Sequence, residues 1–355
     1  MKKYFTLILA IFFTQIHLCS ALPPEVKTNH KHGSPVLNSP GDALKEEYKV
    51  PLSDINLSDP FIFADISDTT YYMYGSGGNG TVMARTSKDL KMWTDRFVVY
   101  KFPEGHWAGD RAPSWAAEVH KYRNRYYLFT TSDDRKPMGK NIRGEDYPRR
   151  ATQIYVADSP KGPFMDFTNN QQHTPREWPA LDGTLWIEKG VPYMIFCREW
   201  LQTLNGTMEA VRLPKNLGVP TEKPFTLFTG FDAPFITESE PDPGKEYVTD
   251  GCFLFRTKTK KLGMIWSSWK EKDYVLMAAY SRSGKLKGPW IQDKELLFEA
   301  NGGHGMLFRT FDGKLMLSMH YVDPNDERPT RQPMFMEVDD SGDKLVIKND
   351  GLLLK

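Results

Sequence analysis

Five polar side chains recur along the chain at similar distances: Asp59, Glu118, Asp182, Asp250 and His304, spaced by 59, 64, 68 and 54 residues. Each opens a short apolar run, as in Asp59-Pro60-Phe61-Ile62-Phe63 and Asp250-Gly251-Cys252-Phe253-Leu254. A single acid at the head of a strand is ordinary turn chemistry, because Asp side chains hydrogen-bond nearby backbone. Five such positions, if gathered, would make a pocket of four carboxylates and one imidazole. Carboxylates on two sides of a pocket can hydrolyse a glycoside. One, ionised, activates water; the other, protonated, gives its proton to the leaving oxygen. Inversion at the sugar carbon needs the two groups roughly 6.5–9.5 Å apart, so that the water fits. Neighbouring acids keep the donor protonated by like-charge repulsion.

The elements that must gather these residues form a repeat. Each polar residue heads a strand, a tight turn follows, and a second strand returns. The returning strands cover 71–76, 126–130, 192–197, 262–267 and 314–320, with turns such as Arg123-Asn124, Lys189-Gly190 and Asp312-Gly313. Third strands follow at 81–85, 153–157, 208–211, 276–280 and 333–337. Short aromatic and β-branched runs between Gly, Asn, Asp and Pro turns are an all-β pattern. A small sheet cannot bury both faces alone, and five in a row bury them by radial stacking, which predicts a five-bladed β-propeller. The first strand of each blade then lines the channel, and its polar head lies at one mouth. The second strand runs back to that mouth, so its end supplies a second ring: Gly75-Ser76, Thr130-Thr131, Arg198-Glu199-Trp200, Ser267-Ser268-Trp269 and Met319-His320-Tyr321. Flat aromatics beside carboxylates suit sugars, whose C–H faces stack on rings while their hydroxyls take polar partners.

The motifs, taken in order along the blades, resemble glycoside hydrolase family 43. Asp59-Pro60-Phe61-Ile62 is similar to its first-blade motif, which implies that Asp59 is the general base. Trp115-Ala116-Ala117-Glu118-Val119-His120 resembles its second-blade motif, with Ala117 where the family has Pro. Leu181-Asp182-Gly183-Thr184 resembles the third-blade segment, whose Asp orients the acid and raises its pKa. Gly303-His304-Gly305 resembles the fifth-blade segment, whose His stands near an axial calcium ion. The fourth-blade motif departs from the family: Thr249-Asp250-Gly251-Cys252 stands where Thr-Glu-Gly-Pro carries the general acid. Asp250 and Glu199 are the two candidates for the donor, and Asp250 is preferred because its ring position sets its distance to the scissile bond. Glu118, Trp115, Trp200, Trp269 and Arg198 are candidate substrate contacts, and His304 is the candidate metal ligand, with calcium favoured by oxygen-rich surroundings. Glu118 ranks third as a donor.

The remaining composition sets limits. Of 355 residues, 40% are hydrophobic and 13% aromatic, enough for a large core and against disorder. The net charge of +1 gives no electrostatic reason for nucleic acid as a partner. Lys2 and Lys3 precede an apolar run at 4–13 that is too short to span a bilayer, which reads as an export signal cut after Ala21. Membrane attachment is expected only if Cys19 is instead lipidated. Residues 22–49 read as a polar linker or strap and 50–355 as the catalytic propeller, a monomer. Cys197 and Cys252 lie in apolar strands and are expected as buried free thiols. The expected function is an exported, inverting exo-glycosidase acting on plant-type polysaccharide side chains, of arabinofuranosidase, xylosidase or galactosidase type. The alternative is a catalytically degenerate propeller that binds carbohydrate without turnover, and a protein-interaction propeller ranks last.

Overall fold

The computed structural model of the chain describes residues 47–323, 325 and 330–354, the last six by backbone alone. The expected export signal and residues 22–46 of the expected linker lie outside the described residues. Among the described residues no helix is long and apolar enough to cross a membrane.

The strands form five successive sheets, paired in sequence order in blades two to five, and these are the blades of a β-propeller. The innermost strands are Phe61–Asp65, Ser114–Tyr122, Ala180–Glu188, Asp250–Arg256 and Gly302–Arg309. Blades three, four and five have four strands. Blade two has three, its fourth edge reduced to a bridge between Val156 and Met165. Blade one gains two short strands, Val50–Pro51 and Met92–Trp93, and Trp93 packs fully buried beside Phe335 of blade five.

Alternation along the strands explains why the runs read as continuously apolar. In Val191–Arg198 the side chains of Met194 and Phe196 pack with Phe129 and Ile154 of blade two. Ile195 and Cys197, between them, pack with Met264 and Trp266 of blade four. In the next blade Ile265, between Met264 and Trp266, packs instead with Leu317 and Met319 of blade five. Successive residues therefore face opposite blades and both faces are buried, so no polar alternation survives. Burying each such side chain contributes about 1.5–3 kcal/mol, and these side chains gather in four clusters between blades. Cys197 and Cys252 are both buried and unpaired within these clusters. The ring closes between blades five and one: the Leu57 amide donates to the Arg331 carbonyl at 2.7 Å, and the Ser318 hydroxyl to the Pro60 carbonyl at 2.7 Å.

Candidate active site

At the mouth the backbone of all five blades does the same thing. Asp59, Ala116, Asp182, Gly251 and His304 have positive φ, between 45° and 57°. In blades two to five this residue sits inside a break of register with the second strand, between Trp115 and Glu118, Leu181 and Thr184, Asp250 and Phe253, Gly303 and Met306. A bulge re-aims side chains and is favoured beside active sites. A left-handed residue with a side chain costs about 1–3 kcal/mol and persists only where its surroundings hold it.

This common frame decides which predicted residues meet. Asp59, Asp182 and His304 occupy the same position on blades one, three and five. Blade two offers only the methyl group of Ala116 there. Glu118 lies two residues further along the strand, and its carboxylate takes a 2.7 Å hydrogen bond from His120 between the rings of Phe61 and Phe129. It is therefore not at the frame position of the mouth group, contrary to the sequence reading, because the bulge shifts the register that the motif spacing suggested. On blade four the position belongs to Gly251, and a Cβ there would stand 2.8 Å from His304 Cα. No side chain fits, and the carboxylate comes from the preceding residue, Asp250.

The carboxylates fall into two opposite states. Asp182 is buried, and its Oδ2 accepts the Gly251 amide at 3.0 Å. Asp182, Asp250 and His304 each offer a ligand atom within 4.8 Å of the others. Burial, then the Asp250 charge and the hydrogen bond between the two carboxyls, push the Asp182 carboxyl well above its ordinary value. A second carboxyl this close disfavours the charged form of Asp182, which burial already penalises. Asp250 is half-buried, and its Oδ2 accepts the Tyr274 hydroxyl at 2.7 Å.

Asp59 goes the other way. Burial alone would raise it, but His304, His320 and Arg331 more than offset that and hold it well below the ordinary carboxylate range. Its Oδ1 lies 3.0 Å from His320 Nδ1 and 3.3 Å from His304 Nδ1. His304 Nδ1 is also 3.8 Å from Asp182 Oδ2, so this imidazole stands between the lowered carboxyl of Asp59 and the raised one of Asp182. The Ser267 hydroxyl accepts the His304 amide at 2.8 Å and fixes its backbone.

The other predicted residues frame this centre. Glu199 is buried, and one of its oxygens is taken by the Arg150 guanidinium while the other, Oε2, has no hydrogen-bond partner. Burial pushes its carboxyl up, and Arg150 pulls against that. Arg150 also binds Asp133 Oδ2 at 2.8 Å and lies 4.3 Å from the Trp115 ring centroid. Glu199 is buried, with one oxygen held by Arg150 and the other out of reach of solvent, so the half-buried Asp250 is the better placed of the two donor candidates. Arg198 does not pair with Glu199; it lies over Trp178 at 4.3 Å and bonds Gln202 at 3.0 Å. Trp200 starts a short helix, Trp200–Thr203, at the mouth, and Trp269 is 38% exposed beside Tyr274. His320, Tyr274 and Arg150 had no role assigned from sequence; only His320 stood in the second ring, without a partner.

A cation would find three donors from the chain in Asp182, Asp250 and His304. Calcium takes six to eight oxygens, so the set fits it only as a water-rich site in which the open mouth supplies the remaining ligands.

A model of the glycosyl hydrolases family 43 matches residues 48–343. Among solved structures, the chain is similar to an endo-arabinase from Bacteroides thetaiotaomicron VPI-5482, with 37% identity over 82% of this chain and 96% of that one and a TM-score of 0.70. A thermostable family-43 glycoside hydrolase shares the fold at 17% identity, over 87% and 98% of the two chains, with a TM-score of 0.70. An α-L-arabinofuranosidase from Lactobacillus brevis shares it at 18% identity, over 86% and 97%, with a TM-score of 0.64. No curated protein matches the chain.

Proposed function

The chain belongs to family 43 of the glycosyl hydrolases, enzymes that hydrolyse O-glycosyl bonds, and from that premise we propose an exported, inverting hydrolase of plant-type polysaccharide side chains. The observation that carries this reading is the opposite displacement of two buried carboxyls in one mouth: Asp59 held well below the ordinary carboxylate range by His304, His320 and Arg331, and Asp182 pushed well above it by burial and its neighbour Asp250. An inverting reaction needs both states at once.

Asp59, fixed by His320 and His304, takes a proton from water as its oxygen attacks the anomeric carbon. Asp250, the more exposed of the pair, gives its proton to the departing oxygen. Asp182 orients Asp250 and keeps the proton on the pair. Tyr274 holds Asp250 Oδ2 in place, leaving the other oxygen to donate. The sugar's apolar face lies on the exposed Trp269, with Trp200 and the Trp115–Arg150 stack framing the mouth. The substrate class is an α-L-arabinofuranoside, β-xyloside or galactoside. The name of the 37% identical protein, an endo-arabinase, supports the first of these. A calcium ion beside His304 is structural in this reading, and no step runs through it. Export rests on the N-terminal signal pattern.

The alternative, a propeller that binds sugar without turnover, is supported by one observation: Asp250 is a methylene shorter than the family's acid. A panel of nitrophenyl glycosides, with the first-formed anomer followed by proton NMR, separates the two. Hydrolysis giving the inverted anomer supports the proposal. Retention would overturn the mechanism, and binding of oligosaccharides with no hydrolysis of any glycoside would establish the binding propeller.

A further inference from the structure

Blade two is unlike the others. Its second and third strands, Arg125–Lys140 and Asp146–Ala157, have 16 and 12 residues, where the matching strands of blade three have 8 and 6. The mouth lies level with Thr131, which pairs with Trp115 on one side and Thr152 on the other. Everything from Asp133 to Arg150 therefore projects above the mouth as a two-stranded arm, roughly 25 Å long at about 3.3 Å per residue. An isolated two-stranded ribbon is marginally stable in water, yet this one is fixed at its base, middle and tip.

At the base, Arg150 joins Asp133 of the arm to Glu199 of blade three. In the middle, the Tyr147 hydroxyl accepts Gln202 Nε2 at 3.1 Å, and Asn141 Nδ2 donates to the Leu201 carbonyl at 3.2 Å. The tip crosses blade three and reaches the segment leading to Asp250. There Arg143 uses its whole guanidinium: Nε to the Pro243 carbonyl at 3.1 Å, Nη1 to Glu246 Oε1 at 2.8 Å, and Nη2 to the Lys245 carbonyl at 2.8 Å. Three donors of one fork satisfied across about a hundred residues of sequence make a latch rather than an incidental surface pair.

We infer that the latched arm walls the mouth from blade two to blade four and makes the enzyme attack glycan chains from an end, an inference that rests on the glycosidase reading. A groove open at both ends admits a polymer at internal bonds. With the side over blade three raised by the arm, a chain cannot run on across the mouth past blade three. The arm thus sets which bond of a polymer reaches Asp59 and Asp250, without touching the bond itself. Arg143 is a specificity-determining residue that acts through the arm's position.

The test compares wild type with Arg143→Ala and with a second variant in which residues 135–148 are replaced by an Asn-Gly turn. Two activities are read: kcat/KM on a cleaved nitrophenyl glycoside, and viscosity loss per reducing end released from a linear polysaccharide of the same sugar. Limited proteolysis within 134–146 reports release of the arm. The expected result is unchanged kcat/KM on the small substrate in both variants, with viscosity loss per reducing end rising several-fold. A wild type that already cuts viscosity early, or a ratio that stays constant when the arm is released or absent, would overturn the inference and leave the glycosidase reading intact. A wild type that hydrolyses no glycoside would overturn the functional reading, and the inference with it.

Discussion

Replacing His320 by Asn should move the acidic limb of the pH profile upward. Two opposing effects set the state of Asp59: burial raises its pKa, while His304, His320 and Arg331 lower it, and in the native protein the second group wins. His320 provides the shortest of these contacts, 3.0 Å from Asp59 Oδ1. A hydrogen bond to a charged group contributes about 1.5–3 kcal/mol, and 1.36 kcal/mol corresponds to one pH unit. Loss of the imidazole should therefore raise the Asp59 pKa by about 1–2 pH units. The sign follows from what remains: burial is untouched and one counter-ion is gone. The assay is kcat/KM against pH on an aryl glycoside, which reports ionisations of the free enzyme. The native enzyme should hold its kcat/KM to the lowest pH at which it stays folded, and His320→Asn should lose it at higher pH. An acidic limb that does not move, or moves down, would refute the claim that His320 keeps Asp59 ionised.

Three further outcomes are expected. Asp182→Asn should lower activity yet raise Tm more at pH 8 than at pH 5: the folded-state pKa of Asp182 is raised, so the stability it lends is complete below the ordinary carboxylate value and lost as pH climbs through the raised one, a loss the amide does not suffer. Arg150→Met should cost about 3–5 kcal/mol in denaturant unfolding, because it leaves Asp133 and Glu199 as buried carboxylates without their partner. Removal of divalent ions by a chelator should lower Tm and leave the leaving-group dependence of the residual activity unchanged; a Tm that does not respond counts against a structural calcium beside His304.

The blades were legible because burial on both faces leaves continuous apolar runs between turn residues, and that pattern is local. Asp59, Asp182 and His304 were legible because they sit on the repeat, and Asp250 because it stands one place before it. What was not legible depends on geometry between blades. Glu118 matches the repeat as a polar residue heading an apolar run, but the bulge at Ala116 puts it two places beyond the position that Asp59 and Asp182 occupy. Asp250 itself was read from its motif, but the reason that it stands one place early, the His304 backbone filling the space beside Gly251, is a contact between blades. His320 meets Asp59 across 261 residues, where the ring closes. Arg150 finds Glu199 across 49 residues, and the neighbour in sequence, Arg198, turns to Trp178 instead. The arm was missed as a pair of strands because its charged, Pro- and Gly-containing sequence at 133–147 carries no alternation. It is held by side-chain anchors rather than by burial.

The central claim is that Asp250 delivers the proton while Asp59 activates water, and leaving-group dependence tests it most directly. A phenol as acidic as nitrophenol departs without protonation, whereas an alkyl or sugar alcohol needs it. Asp250→Asn should therefore lose far more activity on a disaccharide or alkyl glycoside than on the nitrophenyl glycoside. Glu199→Gln, at a carboxylate sealed behind Arg150, should slow both substrates by the same factor. If Asp250→Asn slows both equally and Glu199→Gln shows the selective loss, Asp250 is not the donor and the account of the acid pair is wrong.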